Sequence, residues 1–386
     1  MEKNESEKKG IVVIYGGSFD PPHEGHVALA AAAIRQLRPE FFYFVPNFHA
    51  PFKEMRPASF DDRAEMIRIA FGKRFMHRPG VEINSYENDM RETVYTWKTV
   101  GHFRKIHPDK DLFFLMGSDC LRSFKRWQRW RYILKNARLL VGIRPGFNIG
   151  PNEAPFVPLD GIFPEAASTE VRLNIILDEK INGVSPGVVR NIKKKGLYFS
   201  RESQMLEKAL SPERHAHCVN VARIAAEIAG SRGMSKHRAA AAGLLHDCAR
   251  EFSVEKLKSM KLTGPILGKY RGETVLNAPK LLHAPAGAKT AREKYGVRDP
   301  EILEAIQLHP TGAPGMGELA KLIYVADYIS AERKFDGVGA LRKLALENFP
   351  AAFKKVVEAK AAYRSGRNYW SHPLSLELCR QISEAE

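Results

Sequence analysis

Two textures divide this chain, and each admits few folds. Up to Ile143, short apolar runs alternate with segments of helical period. Ile11–Tyr15, Phe41–Val45, Val81–Asn84, Asp111–Met116 and Leu139–Ile143 read as buried strands. His26–Leu37, Phe60–Phe71, Thr93–Ile106 and Leu121–Leu134 read as the helices between them. Strands that are apolar throughout need cover on both faces. The alternation therefore predicts an α/β fold with a doubly wound, Rossmann-like parallel sheet. Ligands of such sheets bind beyond the carboxyl ends of the strands, where the loops Gly16–Pro22 and Gly117–Asp119 fall.

The segment Gly146–Pro164, rich in Pro and Gly, reads as a long surface loop, and a helix restarts near Ser168. The texture changes around Tyr198 to Pro212, and from Glu213 the strand signal almost vanishes. Val219–Ala229, His237–Leu245, Ala286–Lys294, Pro300–Leu308, Glu318–Ile329 and Ala351–Tyr363 all suit helices, so the second domain is expected to be all-α. The expected bounds are a disordered 1–10, a first domain over 11–199 and a second over 200–386.

Composition narrows the class. The opening MEKNESEKKG has no apolar stretch, so no signal peptide is read there. The longest smooth apolar run, Val27 to Ile34, falls short of the roughly 20 residues that cross a bilayer. A cytoplasmic protein without a membrane partner is expected. Cys120, Cys218, Cys248 and Cys379 show no CxxC and read as reduced thiols. The net charge of +16 bears on partners. Arg122–Arg138 interleaves cations with Trp127 and Trp130, as nucleic-acid patches do. No recognised nucleic-acid module surrounds it. Phosphate-rich small molecules are the favoured partners, an RNA-binding protein is the remote alternative, and a homo-oligomer is compatible with either.

The sharpest local feature follows the first strand: Gly16-Gly17-Ser18-Phe19-Asp20-Pro21-Pro22-His23-Glu24-Gly25-His26. Glycines let backbone N–H groups approach an anion, and the helix that follows points its positive end there. His23 and His26, three apart at the helix start, can reach one phosphate together. No GK[ST] follows, so this is not a Walker A loop.

This region resembles the HxGH nucleotidyltransferases, and within them the bacterial nicotinate-nucleotide adenylyltransferases. Further matches extend over about residues 10 to 198: Pro51-Phe52-Lys53, Tyr95-Thr96 with Thr99, Gly117-Ser118-Asp119 with Phe124 and Trp127, Arg144-Pro145-Gly146, and Ser168-Thr169-Glu170-Val171-Arg172. Phe52, Lys98 and Ala167 depart from the family's His, Asp and Ser. The resemblance implies adenylyl transfer from ATP, with Mg²⁺, to nicotinate mononucleotide, giving deamido-NAD and pyrophosphate. It implies ATP contacts from Gly16, Gly17, Ser18, Phe19, His23, His26, Gly117, Asp119, Ser168, Thr169 and Arg172, with His23 and His26 catalytic. The mononucleotide would meet Lys53, Thr96 and Trp127, the Trp stacking on the pyridine ring.

In the second half, His217, His246, Asp247, His283, His309 and Asp327 stand in helical contexts. Any one such histidine reads as polar core or surface. Imidazoles and carboxylates gathered from separate helices suit Mn, Fe or Zn, with a carboxylate able to bridge two ions. The order H…HD…D is similar to the HD superfamily. Arg214-x-x-His217, Leu244-Leu245-His246-Asp247, Leu282-His283-x-Pro285, His309-x-Thr311-Gly312 and Val325-Ala326-Asp327-Tyr328 resemble the YqeK-type hydrolases. That resemblance implies symmetrical hydrolysis of diadenosine tetraphosphate to two ADP, with Fe, Mn or another divalent transition metal, as two ions. Those six residues would be the ligands, Asp247 catalytic among them, with Arg250 and Arg333 touching phosphate. The alternative is an HD module that only senses nucleotides or cleaves another phosphoester.

Overall fold

The computed structural model describes residues 9–48, 58–148, 150 and 153–384. It separates into two compact units, Met1–Val171 with Ile181–Lys195, and Arg172–Lys180 with Gly196–Glu386. No helix among the described residues is long and apolar enough to cross a membrane.

The first unit contains β1 (Ile11–Gly17), α1 (Glu24–Leu37), β2 (Phe41–Pro46), β3 (Val81–Ile83), α2 (Thr96–Ile106), β4 (Asp111–Gly117), β5 (Arg138–Gly142) and β6 (Phe156–Leu159). The strands form one parallel sheet in the order β3-β2-β1-β4-β5-β6. Side chains alternate across the pleat. Val12 and Ile14 join Leu112 and Phe114 in the core on one face, while Val13 and Tyr15 join Phe42 and Leu115 on the other. The expected doubly wound sheet is therefore present. Its order reverses between β1 and β4, which opens a crevice at their carboxyl ends.

Two expectations are corrected here. The supposed surface loop contains β6, paired parallel to β5 with Val141 opposite Pro158. Proline cannot donate to a ladder, so a strand containing it is confined to the sheet edge and reads poorly in sequence. The supposed helix 121–134 is broken into Ser118–Ser123, a tight turn Phe124–Arg126 and Trp130–Asn136, with Arg129 in a left-handed φ of 52°. A continuous helix would align Arg122 with Arg126 and Lys125 with Arg129, and like charges four apart oppose it.

A helix α3 (Ser168–Ile176) follows the sheet; its Leu173 and Ile176 belong to the core of the second unit. That core is built by α4 (Pro212–Ser231), α5 (Lys236–Leu245), α6 (His283–Glu293), α7 (Pro300–Leu308), α8 (Glu318–Tyr328) and α9 (Phe349–Ser365). No strand occurs in this unit among the described residues, as its periodicity predicts. The helix starts follow capping chemistry. Ser211 accepts from the Arg214 N–H ahead of Pro212, and Asp299 accepts from Glu301 and Ile302 around Pro300.

α4 and α5 pack through small residues. A Cβ on Gly243 would lie 2.7 Å from the Cα and 2.9 Å from the backbone nitrogen of Ala222. Backbone on both sides cannot yield cheaply. Gly243→Ala is expected to destabilise the second unit by about 1–3 kcal/mol, the range for overpacking. Denaturant titration measures this; an unchanged midpoint would mean the two helices separate at no cost.

Candidate active sites

β1 ends in Gly16 and Gly17, and the loop beyond them closes on His23, the N-cap of α1. The rings of His23 and His26 pack together, tilted by 32°, with centroids 3.7 Å apart. The His23 backbone N–H donates to His26 Nδ1 at 3.1 Å, so a neutral His26 ring carries its proton on Nε2. Burial, aided by the Arg144 charge, lowers His23 to about 4; it meets an anion as a neutral N–H donor. A Cβ on Gly25 would lie 3.1 Å from the His23 ring and 3.1 Å from the Pro164 carbonyl oxygen. The G of HxGH is thus a packing requirement. Phe19 is fully buried at a left-handed φ of 49°, its ring 5.0 Å from that of His26. Arg63, also buried, donates to the carbonyl oxygens of Ser18 and Ala58, each at 2.9 Å, and braces the loop.

This loop borders a cavity of about 640 Å³ at the carboxyl ends of β1 and β4. Of the residues expected from sequence, Gly16, Gly17, Ser18, Phe19, His26, Thr96, Gly117, Asp119, Trp127 and Ser168 line it. His23 is not a lining residue but packs against His26. Ser168 Oγ donates to the Pro21 carbonyl at 2.9 Å, which ties the start of α3 to the loop. Thr169 is not among the lining residues, Arg172 falls in the second unit, and Lys53 lies outside the described residues. Trp127 is both core and cavity wall, 5.3 Å from the Phe124 ring and 6.1 Å from that of Phe114. Lys98, the departure from the family's Asp, pairs with Glu92 at 3.1 Å and does not line the cavity.

Tyr15, Glu87, Arg126 and Arg144 are among the lining residues that had no assigned role in the sequence. The Tyr15 hydroxyl is buried without a hydrogen-bond partner. Arg144 stands 3.8 Å from Asp119. Glu87 accepts from Thr99 Oγ1 at 2.6 Å, and burial pushes its carboxyl up to about 7. Arg144 was legible as part of a motif; the other three stand in no pattern that chemistry could pick out.

In the second unit all six expected ligands converge. Asp247, 4% exposed, divides its oxygens. Oδ2 lies 3.6 Å from His246 Nε2 and 3.9 Å from His217 Nε2, while Oδ1 lies 3.2 Å from His283 Nε2 and 3.5 Å from His309 Nε2. Asp327 Oδ1 is 3.3 Å from His217 Nε2. Two triads, His217–His246–Asp247 and Asp247–His283–His309, could each hold an ion, and they share the carboxylate. Burial lowers His246 to about 4, which keeps a neutral imidazole. Burial alone would raise the Asp247 carboxyl, but the imidazoles, His246 first, hold it well below the usual range.

The helices set the ring orientations. Nδ1 of His246, His283 and His309 each faces the carbonyl oxygen three residues earlier: Gly243 at 2.6 Å, Lys280 at 2.6 Å and Ile306 at 2.8 Å. A carbonyl only accepts, so Nδ1 of His246 and of His309 carries the proton and their Nε2 atoms offer lone pairs to the cluster; His283 Nδ1 lies between the Lys280 carbonyl, which accepts, and the Arg250 guanidinium, which donates. His217 turns Nδ1 to Glu332 instead, a carboxylate the sequence did not flag. His217 Nε2, His246 Nε2 and Asp247 Oδ1 are buried without hydrogen-bond partners. Unsatisfied acceptors aimed at one point fit a cation better than a packed core. Arg214 reaches Asp247 Oδ2 at 2.9 Å, Arg250 stands 3.1 Å from His283 Nδ1, and Arg333 is 3.4 Å from Asp327. Lys360 of α9, lowered by burial to about 8, lies beside them.

Known proteins show the same two-part plan. The Cytidylyltransferase-like family matches residues 14–186 and the HD domain family residues 214–332. A Mycoplasma pneumoniae protein described as a probable nicotinate-nucleotide adenylyltransferase/Ap4A hydrolase is 27% identical over 351 residues, covering 89% of this chain and 96% of that protein. A probable nicotinate-nucleotide adenylyltransferase of Clostridium tetani is 32% identical over 198 residues, 48% of this chain and 97% of its own. A solved structure from Clostridium acetobutylicum, described as a predicted HD superfamily hydrolase involved in NAD metabolism, is 29% identical at a TM-score of 0.44, over 49% of this chain and 98% of its own.

The buried Glu87 generates a pH test. Its folded value, about 7, lies above the ordinary 4.5. The contribution is full below the ordinary value and is lost as pH rises through the folded one. Between those two values Glu87→Gln should gain on the wild type by about 3 kcal/mol. Unfolding free energies at pH 4.5 and 7.5 measure the gain. A difference that stays constant across the window would place a charged Glu87 in the folded protein.

Proposed function

The chain belongs to the nicotinate-nucleotide adenylyltransferase family and carries an HD domain behind that region, and from this membership we propose one polypeptide with two reactions. In the first, a phosphate oxygen of nicotinate mononucleotide attacks the α-phosphorus of ATP. Deamido-NAD forms, and pyrophosphate leaves with the electron pair of the broken P–O bond. No protein nucleophile is needed, because positioning and charge stabilisation carry such transfers. The observation that carries this reading is the close-packed His23–His26 pair at the start of α1, beside the cavity at the reversal of strand order. We assign the loop Gly16–Phe19, with His23 and His26, to the ATP phosphates. Gly117 and Asp119 take the ribose, and Ser168, Thr169 and Arg172 the polyphosphate. Lys53, Thr96 and Trp127 take the mononucleotide, and Mg²⁺ enters with ATP.

The HD domain binds divalent metal. Two ions, Fe or Mn, held by His217, His246, Asp247, His283, His309 and Asp327, are the reading the shared Asp247 supports. Such a pair supplies a nucleophile at neutral pH and positive charge for phosphoryl oxygens. The chain's own part is orientation: three backbone carbonyls and Glu332 hold the imidazoles, and Arg250 and Arg333 receive phosphate. The reaction is symmetrical hydrolysis of diadenosine tetraphosphate to two ADP. Nucleotide substrates and free cysteines suit the cytoplasm.

Reciprocal variants test the two sites. His26→Ala should cut adenylyl transfer by about 10²–10³-fold, the scale of one lost oxyanion contact, and leave tetraphosphate hydrolysis near wild type. Asp247→Ala should remove bound transition metal and hydrolysis together and leave transfer intact. Metal content by elemental analysis is read beside ADP release and deamido-NAD formation. Equal loss of both activities in either variant would refute two independent sites.

A further inference from the structure

The cations around the HD cluster differ in what the fold offers them. Arg214 has Asp247, Arg333 has Asp327, and Arg250 lies against His283. Lys360 has no such partner. Its ammonium lies over the Tyr324 ring, 3.6 Å from the centroid, and 3.4 Å from the carbonyl oxygen of His309. Among the described residues it forms no ion pair, although its charge is felt at Asp327. An aromatic face and one carbonyl satisfy an ammonium only in part. A partly buried cation without a direct ion pair is costly to keep beside a core. Asp327 acts on it at a distance without pairing: its Oδ1 answers to His217 and Arg333, and as a metal ligand its charge would be committed further.

We propose that Lys360 binds the substrate's phosphate chain beyond the phosphoryl group held at the metal cluster, and so selects long polyphosphates over simple phosphate monoesters. The proposal rests on the phosphohydrolase reading and sharpens it. A lysine is a compact point charge with three donors, suited to a non-bridging phosphate oxygen whose direction varies along a chain. A monoester offers one phosphoryl group, which the cluster itself would take. Only a chain has a further phosphate to place against the Lys360 ammonium, which lies beside the backbone of one expected ligand, His309, and within electrostatic range of another, Asp327.

The test uses the full-length protein with Lys360→Met and Lys360→Arg, each in the His26→Ala background so that the ATP cavity contributes little. Calorimetry compares tripolyphosphate with inorganic phosphate, elemental analysis follows metal content, and KM is measured for diadenosine tetraphosphate. Lys360→Met should weaken tripolyphosphate by at least about tenfold, as the loss of one charged contact implies, and inorganic phosphate by less than about twofold. Metal content should not change, KM should rise, and Lys360→Arg should restore most of the affinity. Equal weakening of both anions, unchanged tripolyphosphate affinity, or loss of metal in Lys360→Met would each overturn the assignment. A wild-type protein that carries metal and binds tripolyphosphate through Lys360, yet cleaves no phosphoanhydride, would instead bring down the phosphohydrolase reading and leave the binding role standing.

Discussion

Polar atoms kept away from water without a partner govern both halves of this protein. At the first unit's site they include the Tyr15 hydroxyl and His23 Nδ1; at the second's, His217 Nε2, His246 Nε2 and Asp247 Oδ1. Each such atom costs about 1–3 kcal/mol while it lacks a partner. A fold tolerates that only where its surroundings leave no cheaper arrangement. The two units reach this by different means, one with strand ends and a helix start, the other with helices alone.

In the sheet unit, the constraint is met by geometry that backbone imposes. β1 and β4 pair in register, Ile14 opposite Phe114, so their carboxyl ends stop together and the cavity opens between the loops that leave them. Arg63 holds the loop from beneath, and Gly25 lets His23 fold back across the first turn of α1. In the helical unit the same result comes from hydrogen bonds within helices. An imidazole that donates to the carbonyl three residues back has its tautomer and tilt set before any partner arrives. Gly243 links this to packing, since it allows α4 and α5 to touch and also supplies the carbonyl that orients His246.

Sequence legibility followed the range of the signal. The Gly16–His26 loop, the six residues proposed as HD ligands and most helices were readable because turns, caps and periodicity are written in neighbouring residues. β6 was not, because Pro158 disguises an edge strand. The break after Ser123 was not, because repulsion along Arg122–Arg129 competes with an otherwise helical pattern. Glu87 and Arg63 carry no local signature: one is defined by Thr99 on a later helix, the other by the carbonyl of Ser18, far back in the chain.

By itself, then, the sequence determined two domain classes and picked out a glycine-rich turn and a set of imidazole and carboxylate side chains, since each depends on residue type and short spacing. Only the tertiary structure decided how those groups share their work. It placed one oxygen of Asp247 toward His217 and His246 and the other toward His283 and His309. It set Glu332 behind His217, and it brought Lys360 from α9 to a place where no carboxylate pairs with it directly. These are distances between elements remote in the chain, and they exist only after the apolar faces of the helices have found one another. Local chemistry names the parts; burial of the cores sets which of them touch.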